Sequence, residues 1–166
     1  MTLQKLFLTC FGAGLSPKAP GTVGSLVGLL AGIVILEVFG TETLSLLILT
    51  FTIIGIFEIN RYEILTGDHD QQEIVVDEVV GMWIAMLIGY IVAQSASFEY
   101  AFIIAYILSF LAFRLFDIWK PSTIGYIDRN VKGGLGVMGD DILAGLAGGL
   151  LTGVILTGVD KLFFGA

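Results

Sequence analysis

Apolar residues fall in long unbroken runs along this chain. They show neither the alternation of a half-buried strand nor the narrow stripe of a surface helix. The runs are Leu26–Val38, Leu44–Ile59, Val79–Ala93, Ala101–Phe113 and Ile142–Val159. Several are shorter than the ~20 residues that cross a bilayer, but flanking Gly, Ser, Thr and aromatic residues bring most near that length. The pattern predicts an all-α integral membrane protein, a compact bundle of about five hydrophobic helices (about four to six) joined by polar loops. Pro17, Pro20 and Pro121 all lie in the polar stretches, where they suit loops and helix starts. No internal repeat is visible, and residues 1–166 read as a single membrane-embedded domain.

Positive charge then orients the bundle. With about five spans and the N-terminus inside, Lys5, Lys18, Arg61, Arg114, Lys120, Arg129 and Lys132 face the cytoplasm, and only Lys161 lies outside. That is the asymmetry of the positive-inside rule. The outer connections Gly40–Thr43 and Gln94–Phe98 carry no Lys or Arg, whereas the inner ones, Asn60–Glu73 and Lys120–Gly139, are longer and charged. Ahead of the first run, Leu3–Gly14 has the length of an amphipathic or re-entrant segment. The apolar stretch after Lys5, Leu6–Cys10, is shorter than a secretory core, so a cleaved leader is not expected.

Composition agrees with this picture. Hydrophobic residues make up 56% and charged residues 14%, against about 25% charged in a soluble domain. Mean hydropathy is +0.94. The 22 glycines fit closely packed membrane helices. Eight Lys and Arg supply no basic face for nucleic acid. The single cysteine, Cys10, excludes an internal disulfide and a Cys-rich metal site. The two tryptophans, Trp83 and Trp119, read as interfacial aromatics.

The acids gather on one side. Asp77 and Glu78 begin the third run, Arg114 and Asp117 share a face at the end of the fourth, Asp128 and Arg129 lie in the next loop, and Asp140 and Asp141 open the fifth. Adjacent carboxylates repel, and a divalent cation relieves the repulsion. Mg²⁺ takes oxygen ligands and commonly shares them with substrate phosphate. Arg114, Lys120 and Arg129 suit phosphate oxygens. The plain alternative is that such acids meet helix dipoles and pin helices at the surface. Two acid pairs together with Arg114 and Asp117 on one face favour a site. Glycine-rich stretches at Gly12–Ser25 and Gly133–Gly136 offer backbone N–H groups to an anion, or close-packing points. His69 and Asp70, in the polar loop Gly67–Gln71, are weaker candidates. There is no Ser-His-Asp pattern, Walker lysine loop or CxxC.

Four blocks carry a family resemblance: Gly12–Ser25 with its Ala-Pro-Gly-Thr-Val-Gly-Ser core, Ile74–Trp83, Phe113–Pro121 and Asp128–Gly145. The chain resembles phosphatidylglycerophosphatase A, a bacterial membrane enzyme. The resemblance implies Mg²⁺-dependent hydrolysis of the terminal phosphate of phosphatidylglycerophosphate at the inner face of the cytoplasmic membrane. It carries Asp77, Glu78, Asp117, Asp128, Asp140 and Asp141 over as the catalytic acids. Asp77, Glu78, Asp140 and Asp141 are then the expected metal ligands, with Asp117 or Asp128 completing the set. Arg114, Lys120 and Arg129 are the expected phosphate contacts, with Gly21, Thr22 and Ser25. Thr123 stands where the family pattern has a second proline. Two other classes fit part of the pattern. A CDP-alcohol phosphotransferase would need its spaced Asp motif, which is absent. An ion-coupled transporter would place acids near the middle of its spans.

Overall fold

The computed structural model describes residues 2–67 and 71–164. Its elements are α1 (Leu3–Leu8), a 3₁₀ turn (Ala13–Leu15), α2 (Pro20–Thr66), α3 (Val76–Ala93), α4 (Ala101–Trp119), α5 (Ser122–Asn130) and α6 (Gly134–Val159), with a final π-helical turn (Asp160–Phe164). Among the described residues there is no strand. The helices long and apolar enough to cross a membrane are four: α2, α3, α4, and α6 with the turn after it.

The 47 residues of α2 exceed one bilayer crossing about twofold. Gly40 resolves the excess. Its backbone (φ 83°, ψ 179°) is non-helical and breaks α2 into limbs 20–39 and 41–66. Trp83 of α3 shows that the limbs run side by side: its indole N–H donates to the Gly28 carbonyl at 2.9 Å, and its ring packs on Phe51. Residues of both limbs therefore meet at one depth, and the bundle has about five legs, as the apolar runs predict.

α3 is the central leg. It buries Val76, Val79, Val80, Met82, Trp83, Ala85 and Met86. The other legs turn Leu30, Val34, Phe57, Ile107, Leu150 and Val154 outward, an apolar belt suited to lipid. Small residues let the backbones approach. A methyl on Gly145 of α6 would strike the Gly81 carbonyl of α3, and one on Gly148 would meet the Phe113 backbone at 2.8 Å.

Several details differ from the sequence expectation. The first outer connection is Gly40 alone, not Gly40–Thr43, because one left-handed glycine makes the break. α4 runs on past Phe113 to Trp119 and keeps Arg114 and Asp117 on the helix. α6 starts at Gly134, so Asp140 and Asp141 sit beyond its first turn instead of opening it. The early start is held by the Gly134 N–H donating to Asn60 Oδ1 at 2.7 Å. Asp128 and Arg129 lie on the short helix α5, not in a loop. Trp83 is buried inside the bundle, since its indole finds a backbone acceptor there, while Trp119 is exposed. Pro20 and Pro121 do stand at helix starts, of α2 and α5.

Candidate functional site

One end of the bundle holds a polar cavity of about 560 Å³. It is walled by the start of α2 (Pro20, Gly21), the linker into α3 (Gln71, Gln72, Ile74), the polar ends of α3 and α4, the end of α5 and the start of α6. Asp77, Glu78, Asp117, Lys120, Asp128, Arg129, Asp140 and Asp141 all line it. The six predicted acids thus share one cavity, although they come from four helices.

Within it the acids divide into two groups. Asp77, Glu78 and Asp141 converge, each offering a carboxylate oxygen within 4.8 Å of the others. Asp77 and Asp141 are buried, and Glu78 is half-buried. Oδ1 of Asp77 and Oε2 of Glu78 are shut off from solvent with no hydrogen-bond partner. Three converging carboxylates with two donor-less buried oxygens are costly as they stand. An all-oxygen donor set of this kind fits a hard divalent cation.

The second group is already neutralised. The Lys120 ammonium bridges Asp128 at 2.5 Å and Asp140 at 2.7 Å. Burial works against its charge, but the hydrogen bonds to Asp128 and Asp140 outweigh that and raise its pKa. Lys120 sits just after α4 in a left-handed conformation (φ 45°), which turns the chain toward α5 and aims the side chain back at α6. Asp140 was expected in the metal set. Instead its carboxylate faces Lys120, because it is one residue off the face of α6 that carries Asp141 toward α3.

Arg114 is similarly engaged. Its guanidinium pairs with Asp117 one turn on, and donates to Ser25 Oγ and Thr22 Oγ1, both at 3.3 Å. Ser25 is fully buried and donates its own hydroxyl proton to the Gly21 carbonyl. The hydroxyls of Thr22 and Ser25 in the first glycine-rich block therefore grip Arg114 and tie α2 to α4. Gly21 leaves room for Glu78, whose Oε1 a methyl at that position would strike. In the other block, methyls on Gly134 and Gly136 would meet the carbonyls of Ile56 and Val131, so these glycines are close-packing points.

Arg129 and Lys132 line the same cavity, are exposed, and take part in no ion pair among the described residues. Lys132 is the site residue that sequence reasoning missed. Its signal was present, as a cation three residues beyond Arg129 in the same block, but it served only in the charge count. His69 and Asp70 lie outside the described residues.

The linker that leads into Asp77 is clamped from below. Glu73 accepts from Lys5 Nζ at 2.8 Å and from the Tyr62 hydroxyl at 2.6 Å. These hydrogen bonds, that from Lys5 first, hold the Glu73 carboxyl below its ordinary range, and the pairing raises Lys5. The Val75 N–H donates to the Leu8 carbonyl at 2.9 Å, and the Cys10 thiol lies 3.8 Å from the Val75 carbonyl. Burial, with the Glu78 charge second, pushes that thiol up to about 12.

A sequence model of the family described as PgpA, phosphatidylglycerophosphatase A, matches residues 6–156. The chain is 36% identical over 136 residues to "Phosphatidylglycerophosphatase A" of Escherichia coli K12, covering 82% of this chain and 73% of that protein. It is 35% identical to the Haemophilus influenzae protein of the same name, covering 82% and 78%. A Bacteroides thetaiotaomicron protein, provisionally named phosphatidylinositol-3-phosphatase, is 38% identical over 156 residues, or 92% of each chain. No solved structure matches the chain. A family match over residues 6–156, joined to relatives 35–36% identical over 82% of the chain, shows that it belongs to the phosphatidylglycerophosphatase A family and is a phosphatase, a phosphoric monoester hydrolase.

Proposed function

We propose that this chain hydrolyses the terminal phosphate of phosphatidylglycerophosphate, with Mg²⁺, to give phosphatidylglycerol and inorganic phosphate in phospholipid biosynthesis. The observation that carries the reading is the Asp77, Glu78 and Asp141 cluster, with its two donor-less buried oxygens, in the wall of a polar cavity that also presents Lys120, Arg129 and Lys132. These three carboxylates would hold the ion. When bound it supplies charge neutralisation for the phosphoryl group and Lewis-acid activation. The name shared by the Escherichia coli and Haemophilus influenzae relatives supports the head group, and the Lys and Arg asymmetry supports a site facing the cytoplasm from the bacterial inner membrane.

The protein's own groups complete the chemistry. Arg129 and Lys132 receive the phosphoryl oxygens, since their charges are uncommitted. Arg114 and Lys120 hold Asp117, Asp128 and Asp140 in place around the cavity. A water oxygen bonds to phosphorus as the ester P–O bond breaks; one water proton passes to a cavity carboxylate and from it to the departing glycerol oxygen, which leaves as a hydroxyl. Diacylglycerol stays in the bilayer, so residues 1–166 need no deep lipid pocket and serve as one phosphatase domain.

The test is phosphate release from phosphatidylglycerophosphate in vesicles, without any alcohol acceptor, with and without EDTA, repeated on Glu78→Gln and Asp141→Asn. Loss in all three cases supports the reading. Undiminished release in EDTA overturns the metal, and no release from this lipid beside turnover of a phosphoinositide overturns the head group. Release only when an alcohol acceptor is added would make the chain a phosphotransferase. Ion flux that Asp141→Asn blocks while phosphate release survives would make it a transporter. A phosphoenzyme trapped with substrate would replace water attack by a covalent route.

A further inference from the structure

The segment ahead of the first span folds back against the bundle. Its first helix, α1, lies along the second limb of α2. Gln4 Nε2 donates to the Glu58 carbonyl at 3.1 Å, and the Phe7 ring packs on Phe51 at 5.3 Å. Glu58 and Phe51 are two turns apart on one helix, about 10 Å along its axis. Phe51 also packs on Trp83, which binds Gly28, so Phe7 sits at the depth where both limbs of α2 flank α3. The chain therefore runs along the second limb from Glu58 toward Phe51, turns beside the Glu73–Val75 linker at the entry to α3, and returns to Pro20.

The turn satisfies itself. From Thr9 to Ser16, successive backbone N–H groups donate within the segment: Thr9 to Lys5, Cys10 to Phe7, Phe11 to Leu6, Gly12 to Thr9, Ala13 to Cys10, Gly14 to Thr9, Leu15 to Gly12 and Ser16 to Ala13. A loop in water has no such need. A loop at membrane depth does, because no solvent is there to take its donors. The turn also runs through three consecutive left-handed residues, Cys10 (φ 44°), Phe11 (58°) and Gly12 (95°). Two of these are not glycine, and that conformation costs about 1–3 kcal/mol each. The strained turn buries Thr9 and Cys10 and leaves Phe11 86% exposed at its tip.

We infer that residues 3–16 form a re-entrant hairpin whose tip, Phe11, inserts among the acyl chains of the leaflet on the side of the acidic cavity. The occupant of this surface is lipid hydrocarbon. The exposed side chains of the hairpin are apolar, Leu3, Phe11 and Leu15, and its one cation, Lys5, is already paired with Glu73, which suits hydrocarbon better than a protein partner. The hairpin's other contact is with the linker: Leu8 and Cys10 touch Val75, two residues before Asp77. It therefore fastens the entry to α3 to the surrounding lipid. This goes beyond the proposed substrate and metal and stands without them.

The experiment places a nitroxide at Phe11→Cys in a Cys10→Ala background, in vesicles of phosphatidylcholine and phosphatidylglycerol. The expected result is relaxation enhanced by dissolved oxygen and not by a water-soluble nickel chelate. The reverse pattern overturns the inference, as does immobilisation with access to neither reagent, which would mean a protein-covered tip. A Phe11→Trp, Trp119→Phe chain gives an independent reading where Cys10→Ala does not fold. Its emission in excess of that of the Trp119→Phe chain, in which Trp83 alone emits, should lie to the blue and be quenched in lipids brominated on their acyl chains. Quenching by aqueous iodide instead would overturn the proposal.

Discussion

The Lys120 ammonium stands 2.7 Å from the Asp140 carboxylate, so the neighbouring acids Asp140 and Asp141 face different partners. Asp141 faces Asp77 and Glu78, while Asp140 neutralises a lysine. Lys120 and Asp140 should therefore be coupled by about 1–3 kcal/mol in a double-mutant cycle of Lys120→Met and Asp140→Asn followed by thermal unfolding in detergent. Asp140→Asn should keep measurable phosphatase activity where Asp141→Asn loses it. Equal losses in the two would remove the distinction.

The sequence made the gross plan legible. Long apolar runs marked the legs, and charge asymmetry gathered the acids at one end, because hydrocarbon excludes charge whatever the tertiary packing. Pairings between helices were not legible. Asp140 and Asp141 are chemically alike and adjacent, and only the rotation of α6 against α3 and α4 decides which meets a lysine. Trp83 looked interfacial because tryptophan in water-flanked helices usually is, but a carbonyl on α2 supplies its acceptor inside. Thr22 and Ser25 looked like phosphate contacts because an arginine and a phosphate cannot be told apart as partners of a hydroxyl from spacing alone.

Arg129 and Lys132 should act in binding. Both are exposed, so each charge is worth about 1 kcal/mol or less. Arg129→Gln or Lys132→Gln should raise KM by about fivefold or less with kcat nearly unchanged. Steady-state phosphate release across lipid mole fraction in vesicles measures the split. A fall in kcat alone would assign these cations to the chemical step.

Gly145 sets the distance between the helices that carry the acidic cluster. Gly145→Ala would drive a methyl into the Gly81 carbonyl and push α6 from α3. Overpacking of this kind costs about 1–3 kcal/mol, and it would also separate Asp141 from Asp77 and Glu78. Unfolding temperature and activity should both fall. Gly158→Ala, where a methyl meets nothing within 4 Å, is the matched control and should leave both unchanged.

Glu73 predicts a pH effect. Its folded carboxyl is held low by Lys5 and then Tyr62, so its contribution to stability is present above the ordinary Glu value of about 4.3 and is lost as pH falls through the folded value. Melting temperatures of the native chain and of Glu73→Gln should differ at neutral pH and converge in acid. A gap that stays constant down to strong acid would show that the clamp is not ionic.

Asp77 and Glu78 belong to the middle of the chain, and Asp141 to its last leg. A nascent chain whose first four legs are already threaded into the membrane still has only two of the three carboxylates. The cluster closes when α6 slides its glycines against α3. The three-carboxylate cluster is thus incomplete until α6 has been made and inserted.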